Sequence, residues 1–130
     1  MKLENHRKAF VKAPYQSGNA VTLIGAAKIY LALNRATEAE ALFDLLLEEA
    51  YVIPGALIGL GNAQLMQGKF DEAFLTLQQA VGTYPNRLSC WLSYEKASRL
   101  TNNDEQQARA IETIETLSAN YKKATADKDN

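Results

Sequence analysis

The sequence is poor in the residues that build most catalytic and metal sites. It contains one cysteine and one histidine among 130 residues. A single cysteine excludes a disulfide framework within the chain, and a single histidine argues against histidine-based catalysis and histidine-rich metal sites. No phosphate-binding loop, metal-ligand spacing or nucleophile–base pair is present, and Gly59-x-Gly61 falls inside a predicted helix with no strand before it. We therefore predict no enzyme activity, no metal and no cofactor.

An excess of positive charge and a long hydrophobic run are also missing. Fourteen Lys and Arg residues against fifteen Asp and Glu residues give a net charge of −1. Proteins that bind a phosphate backbone usually carry a clear basic excess. The longest apolar run, near residues 51–60, is about half the length that a membrane span needs. The composition therefore predicts neither a nucleic-acid partner nor a membrane span.

The two ends of the chain differ from its middle. Residues 1–19 carry positive charge with no apolar stretch after it, so we expect no secretory signal and, with one cysteine, a cytoplasmic location. They are predicted to form an N-terminal arm, in which Leu3, Phe10 and Val11 make one apolar stripe of a short helix that Pro14 breaks. Residues 122–130 are small or charged and are predicted to be a disordered tail.

An internal repeat of 34 residues lies between these ends. The residues that coincide after a shift of 34 have matching physical roles: residues 23–27 with 57–61, Ala39 with Ala73, Phe43 with Leu77, and the turn residues Asn34 with Gly68. A third copy begins with Trp91, and its turn at residues 101–104 looks about two residues longer, so that Ala110, Ile114 and Leu117 take the inner positions. No stretch alternates with period two. The pattern predicts an all-α fold of three helix pairs, at about 20–53, 54–87 and 88–121.

The period and its signature residues resemble the tetratricopeptide repeat. The middle copy carries the clearest signature: Leu57-x2-Leu60-Gly61-x2-Gln64, followed by Gly68, Ala73, Leu77, Ala80 and Pro85. The aromatic residue that the family has at the fourth position is leucine here, and the third copy supplies it as Trp91. The first copy has Tyr51 in place of the closing proline. The resemblance implies a right-handed superhelix of three helix-turn-helix repeats, with an extra N-terminal helix as an option.

In this family the first helix of each repeat lines a concave groove that binds segments of partner proteins. Carried onto this sequence, the resemblance implies that the following residues contact a partner: Val21, Ile24, Lys28, Leu31, Ile58, Asn62, Leu65, Met66, Leu92, Lys96, Arg99 and Leu100. The set contains no acidic residue and many aliphatic ones, so it favours an apolar or amphipathic segment with some acidic character. We expect Leu65 to lie outside the stacking core, so that charging it abolishes binding and spares the fold.

Two other occupants of this groove stay open, namely the chain's own N-terminal arm and a second copy in a homodimer. Gly25, Gly59 and Ser93 recur on the same predicted face at the 34-residue spacing. Glycine inside a helix costs roughly 1 kcal/mol relative to alanine. The recurrence of small residues therefore suggests that some group approaches the helix backbone closely.

The middle copy also resembles the second repeat of the small tetratricopeptide chaperones of bacterial type III secretion, over residues 57–63 and 68–71. That resemblance implies a chaperone or adaptor that shields an apolar segment. The carboxylate-clamp version of the family is disfavoured, because Ile24 and Ile58 occupy positions where the clamp has polar side chains. The alternative is a self-associating structural subunit of a larger assembly such as a secretion or pilus apparatus.

Overall fold

The computed structural model describes residues 17–49 and 53–129, which form six helices and, within those ranges, no strand. The helices are α1 (Ser17–Ala32), α2 (Ala36–Glu48), α3 (Pro54–Met66), α4 (Phe70–Thr83), α5 (Leu88–Leu100) and α6 (Asp104–Asp129). Each helix packs against the next one in the chain. The prediction of an all-α helical repeat is therefore confirmed, while the predicted arm helix with its Leu3, Phe10 and Val11 stripe lies outside the described residues.

The first helices of the three pairs lie side by side. Besides its neighbours in the chain, α3 contacts α1 on one side and α5 on the other. The arrangement is a stack in which α1, α3 and α5 form one layer and the second helices α2, α4 and α6 cover it. Such a stack buries apolar residues between neighbouring pairs, because a single pair cannot bury its own apolar face.

The three helix pairs follow one another at a strict interval. Within each pair, the turn contains a residue with positive φ: Asn34 at 60°, Gly68 at 77° and Asn102 at 58°. Glycine and asparagine are the residues that adopt this left-handed conformation most readily. The predicted two-residue insertion in the third turn is wrong, because α6 begins at Asp104, 34 positions after Phe70 begins α4.

The third pair is joined differently from the other two, which explains the error. In the first pair, Ala27 and Ala39 are fully buried where the helices meet. Glu95 and Gln107 occupy the equivalent positions in the third pair, and Gln107 Nε2 donates a hydrogen bond to Glu95 Oε2 at 3.1 Å. The inner stripe of α6 instead continues through Ala110, which is fully buried, and through Ile114 and Leu117, which are partly buried. The prediction of these three inner residues is confirmed.

The core has two parts. The N-terminal core is centred on Phe43, Leu42 and Leu46, and the C-terminal core contains Leu57, Leu77, Cys90 and Trp91. Partly buried Leu47 packs against both, so the two parts are continuous.

Pro85 and Trp91 connect the middle pair to the third. Trp91 Nε1 donates a hydrogen bond to the carbonyl oxygen of Pro85 at 2.8 Å, which satisfies the one polar group of a side chain that is otherwise in the core. The neighbouring Cys90 is fully buried, as predicted for a structural thiol, and burial raises its pKa although the charge of Arg87 opposes the shift.

The C-terminal end differs from the prediction of a disordered tail at 122–130. Helix α6 does not stop at residue 121 but continues to Asp129. Its apolar stripe extends to Tyr121, which is half-exposed. Ile111, at the position of Phe43 and Leu77, is exposed as well, because no further helix pair covers it.

A polar link joins the first pair to the second. Gln67 Nε2 donates to Glu40 Oε1 at 2.7 Å and to the Ala63 carbonyl at 3.0 Å, and Lys69 Nζ donates to Glu40 Oε1 at 3.0 Å. Partial burial raises the pKa of Glu40, but the hydrogen bonds from Gln67 and Lys69 and the charge of Lys69 outweigh it, and the net pKa is lowered. The link therefore depends on the ionised carboxylate.

Replacing Glu40 with glutamine should lower the melting temperature in a pH-dependent way. Because the folded pKa lies below the usual 4.5, the carboxylate stabilises the fold above that pH, and the contribution is lost as pH falls through the folded value. The melting temperatures of wild type and Glu40→Gln should differ at pH 7 and converge near the acid limit. Glu112→Gln, an exposed change on α6, is the control. A Glu40→Gln deficit of the same size at all pH values would contradict this assignment.

Candidate protein-binding site

The twelve residues predicted to contact a partner all lie on α1, α3 and α5, but they are not equally accessible. The exposed members are Val21, Lys28, Met66, Leu92, Lys96, Arg99 and Leu100. The partly buried members are Ile24, Leu31, Ile58 and Asn62. Leu65 is buried. Because α3 contacts both α1 and α5, the exposed members form a surface that crosses the three first helices, which we call the first-helix face.

The expectation that Leu65 lies outside the stacking core is wrong. Leu65 is 8% exposed and belongs to the C-terminal core with Tyr94 and Ala97. The sequence pattern placed it on the outer side of α3 because it does not occupy a signature position of the repeat. The packing of α3 against α5 puts it inside, so it is unsuitable as a probe of binding.

Part of the aliphatic character of the first-helix face has a structural explanation. Ile24 and Leu31 pack against the N-terminal core, and Ile58 packs against the C-terminal core. These side chains stabilise the row of first helices. The apolar residues left for a partner are Val21, Met66, Leu92 and Leu100, with exposed fractions of 68%, 45%, 51% and 36%.

The close approach expected at the recurring small residues is real at Gly59, but the approaching group belongs to the chain itself. A Cβ atom at Gly59 would overlap the ring of Phe43, which comes from α2. At Gly25, one repeat earlier, a Cβ atom would meet nothing within 4 Å among the described residues. The recurrence therefore records how a second helix packs on the following first helix and does not mark a ligand.

Charge is divided between the two layers. Helices α1 and α3 contain no acidic residue, and α5 contains only Glu95. Arg99 Nε donates to Glu95 Oε2 at 3.1 Å, and the same oxygen accepts the hydrogen bond from Gln107. Lys28 and Lys96 are exposed. The first-helix face therefore combines apolar side chains with positive charge.

The second helices carry the opposite charge. Their sequences in α2 and α4 contain acidic residues and no basic one: Glu38, Glu40, Asp44, Glu48, Asp71 and Glu72. Partial burial, together with the neighbouring charges of Glu40 and Glu48, raises the pKa of Asp44. A net charge near zero thus hides a strong separation of charge between the layers, and an acidic segment is attracted to the first-helix face and repelled from the α2 side.

A pocket of about 320 Å³ lies between α4, α5 and α6, away from the predicted site. Its lining is Gln78, Val81, Gly82, Pro85, Trp91, Tyr94 and Arg109. The sequence could not indicate it, because it arises from the relative placement of three helices. Its lining offers one cation and no carboxylate, and no group of His, Cys, Asp or Glu among the described residues could hold a metal ion.

Comparison with known protein families identifies the middle of the chain. Residues 56–87, which include most of α3, all of α4 and the turn that follows, match the family model of the tetratricopeptide repeat. The chain therefore contains a tetratricopeptide repeat, as its signature residues predicted, and this repeat is a module of protein–protein interaction. The match does not extend to the first and third pairs. No curated protein matches the chain.

The helices also bear on the membrane question. None of those in residues 17–49 and 53–129 is long and apolar enough to cross a membrane. This agrees with the prediction from the sequence of no membrane span, within the described part of the chain.

Two adjacent residues of α3 should respond differently to charge. Leu65→Glu places a carboxylate in the C-terminal core and should destabilise the fold by about 3 kcal/mol or more. Met66→Glu changes a 45% exposed side chain and should cost less than about 0.5 kcal/mol. Urea unfolding followed by circular dichroism measures both. Equal stabilities of the two variants would contradict the burial of Leu65.

Proposed function

We propose that the protein is a non-enzymatic chaperone or adaptor that binds an apolar or amphipathic segment of another protein on its first-helix face. The tetratricopeptide repeat at 56–87 supports protein binding in general. The finer proposal rests on the exposed side chains of that face, since a chaperone must offer an apolar surface to a segment that would otherwise be exposed. A right-handed superhelix of three such repeats would make this face concave.

The observation that carries the proposal is the association of exposed apolar residues with basic ones on α3 and α5. Met66, Leu92 and Leu100 supply apolar area, whose burial contributes about 25 cal/mol per Å². Lys96 and Arg99 lie on the same helix as Leu92 and Leu100. Apolar contact would provide most of the affinity, and the charges would favour segments that contain Asp or Glu.

The likeness to type III secretion chaperones agrees with this role, because those proteins hold apolar segments of other proteins before export. For this chain the likeness rests on residues 57–63 and 68–71 alone. The cytoplasmic location, which such a role requires, stays a prediction from the low cysteine content.

A second candidate function is that of a self-associating structural subunit. It is supported by apolar side chains outside the site, since Ile29 and Leu33 on α1 are 61% and 60% exposed. A subunit of this kind would form an oligomer without any ligand. Light scattering across a range of protein concentrations separates the two candidates, because the chaperone or adaptor requires no such oligomer.

Selection of peptides on the immobilised full-length chain would test the proposal. A random peptide library should yield sequences that combine large apolar residues with Asp or Glu. Their affinity, measured by fluorescence anisotropy, should fall about tenfold or more with Leu92→Glu. Lys96→Glu should weaken binding less, with the largest effect at low salt, because it removes a charge from the rim of the contact.

Leu75→Glu is the matched control for Leu92→Glu. Leu75 is 63% exposed but lies on α4, in the second-helix layer. The same substitution should leave peptide affinity unchanged there, and circular dichroism should show both variants folded. If Leu75→Glu abolished binding while Leu92→Glu did not, the binding surface would lie on the second helices and the proposal would be wrong.

A further inference from the structure

The outer side of α1 is uncovered, whereas the same side of α3 and α5 is covered by the second helix of the preceding pair. Ala63 on α3 and Ala97 on α5 are fully buried, but Ile29, at the equivalent position of α1, is 61% exposed. Thr22 is likewise exposed where its equivalents are buried. We call the side of α1 that contains Thr22, Gly25, Ile29 and Leu33 the end face. It contains no charged residue.

The end face contains a vacant hollow whose counterpart is filled. The ring of Phe43 fills the space at Gly59, as described above, and thereby sets α2 against α3. Gly25 is the equivalent glycine of the preceding first helix, and nothing lies within 4 Å of where its Cβ atom would be. The fold thus has room at Gly25 for a large side chain from an element that packs as α2 does on α3.

We propose that residues 1–13 of this chain form that element, packing antiparallel on the end face with Phe10 in the hollow at Gly25. Phe43 precedes Gly59 by 16 residues, and Phe10 precedes Gly25 by 15. Leu3 lies two helical turns before Phe10, about 10 Å along a helix. In an antiparallel arrangement, Leu3 therefore lies beside Leu33, which is about 12 Å from Gly25 along α1.

The connection is long enough for this arrangement. A helix that ends at Ala13, before Pro14, is followed by α1 at Ser17. The four intervening chain steps span up to about 14 Å when extended. Packed helices are about 8–10 Å apart, so the chain can turn back and place Phe10 level with Gly25.

Charge favours the same occupant. Residues 1–13 contain Lys2, Arg7, Lys8 and Lys12 against one acidic residue, Glu4. On the end face the segment would join the second-helix layer next to α2, whose sequence contains acidic residues and no basic one. Direct attachment to α1 also gives the segment an effective concentration in the millimolar range, which a second copy in dilute solution does not reach.

This arrangement is independent of the proposed function. The segment on the end face would leave Met66, Leu92 and Leu100 accessible to a partner. The inference would therefore survive a failure of the peptide-binding test, and a failure of this inference would not affect that test.

Thermal unfolding of the full-length chain, with substitutions at the two contacting positions, tests the proposal. If Phe10 fills the hollow, Gly25→Ala should lower the melting temperature, because its methyl group would overlap the ring. In a Phe10→Ala background the hollow is empty. There the same Gly25→Ala change should raise the melting temperature by about 2–5 °C, as expected for glycine replaced by alanine inside a helix.

Two glycines serve as controls in both backgrounds. Gly59→Ala should lower the melting temperature regardless of residue 10, because the Phe43 ring occupies its hollow. Gly82→Ala should give a small rise regardless of residue 10, because a Cβ atom there meets nothing within 4 Å. If Phe10→Ala does not fold, Phe10→Leu replaces it as the milder background, in which the loss caused by Gly25→Ala should be smaller.

Two outcomes would overturn the proposal. The first is a rise in melting temperature with Gly25→Ala that is equal in the wild-type and Phe10→Ala backgrounds, which would show that Phe10 does not occupy the hollow. The second is a fall with Gly25→Ala in both backgrounds, together with a dimer by light scattering. A second copy of the chain would then cover the end face.

Discussion

The contact between the Phe43 ring and the backbone at Gly59 sets the spacing on which the rest of the fold depends. A ring can lie directly on a helix only where no Cβ atom intervenes, so the pair fixes both the distance between α2 and α3 and their rotation. That placement brings Glu40 to Gln67 and Lys69, which ties the same two helices together at their polar edge. With α3 fixed against α2, its remaining sides are left for α1, α4 and α5.

The division into two layers gives each layer its own chemistry. First helices are enclosed on most sides, so their sequences are largely apolar, and only a narrow strip with Lys28, Met66 and Lys96 faces outward. Second helices have a broad outer side, which in α2 and α4 carries only negative charge. A chain that is almost neutral overall therefore offers a basic, apolar strip on one layer and an acidic surface on the other. This separation provides the electrostatic argument for the chemistry of the proposed partner.

Much of the fold could be predicted from the sequence, because the 34-residue period reflects backbone requirements that few residues meet. Asn34, Gly68 and Asn102 all have positive φ, and the turns follow from them. The site was harder to predict. Burial of Leu65 depends on how α3 meets α5, and the role of Gly59 depends on a ring 16 residues earlier. The third turn was misjudged because Gln107 replaces a small residue and pairs with Glu95, which hides the register.

That hydrogen-bonded pair has a consequence for the dynamics of the molecule. The middle first helix, α3, is held by α1, α2, α4 and α5, whereas α6 packs on α5 at the end of the stack. The joint between α5 and α6 contains a polar contact where the first pair has two fully buried alanines. In a stack of repeats, local opening begins where neighbours are fewest and apolar contact is smallest. Amide protons should therefore exchange fastest toward the end of α6 and slowest in α3, so the chain loses its order from the C-terminal end inward.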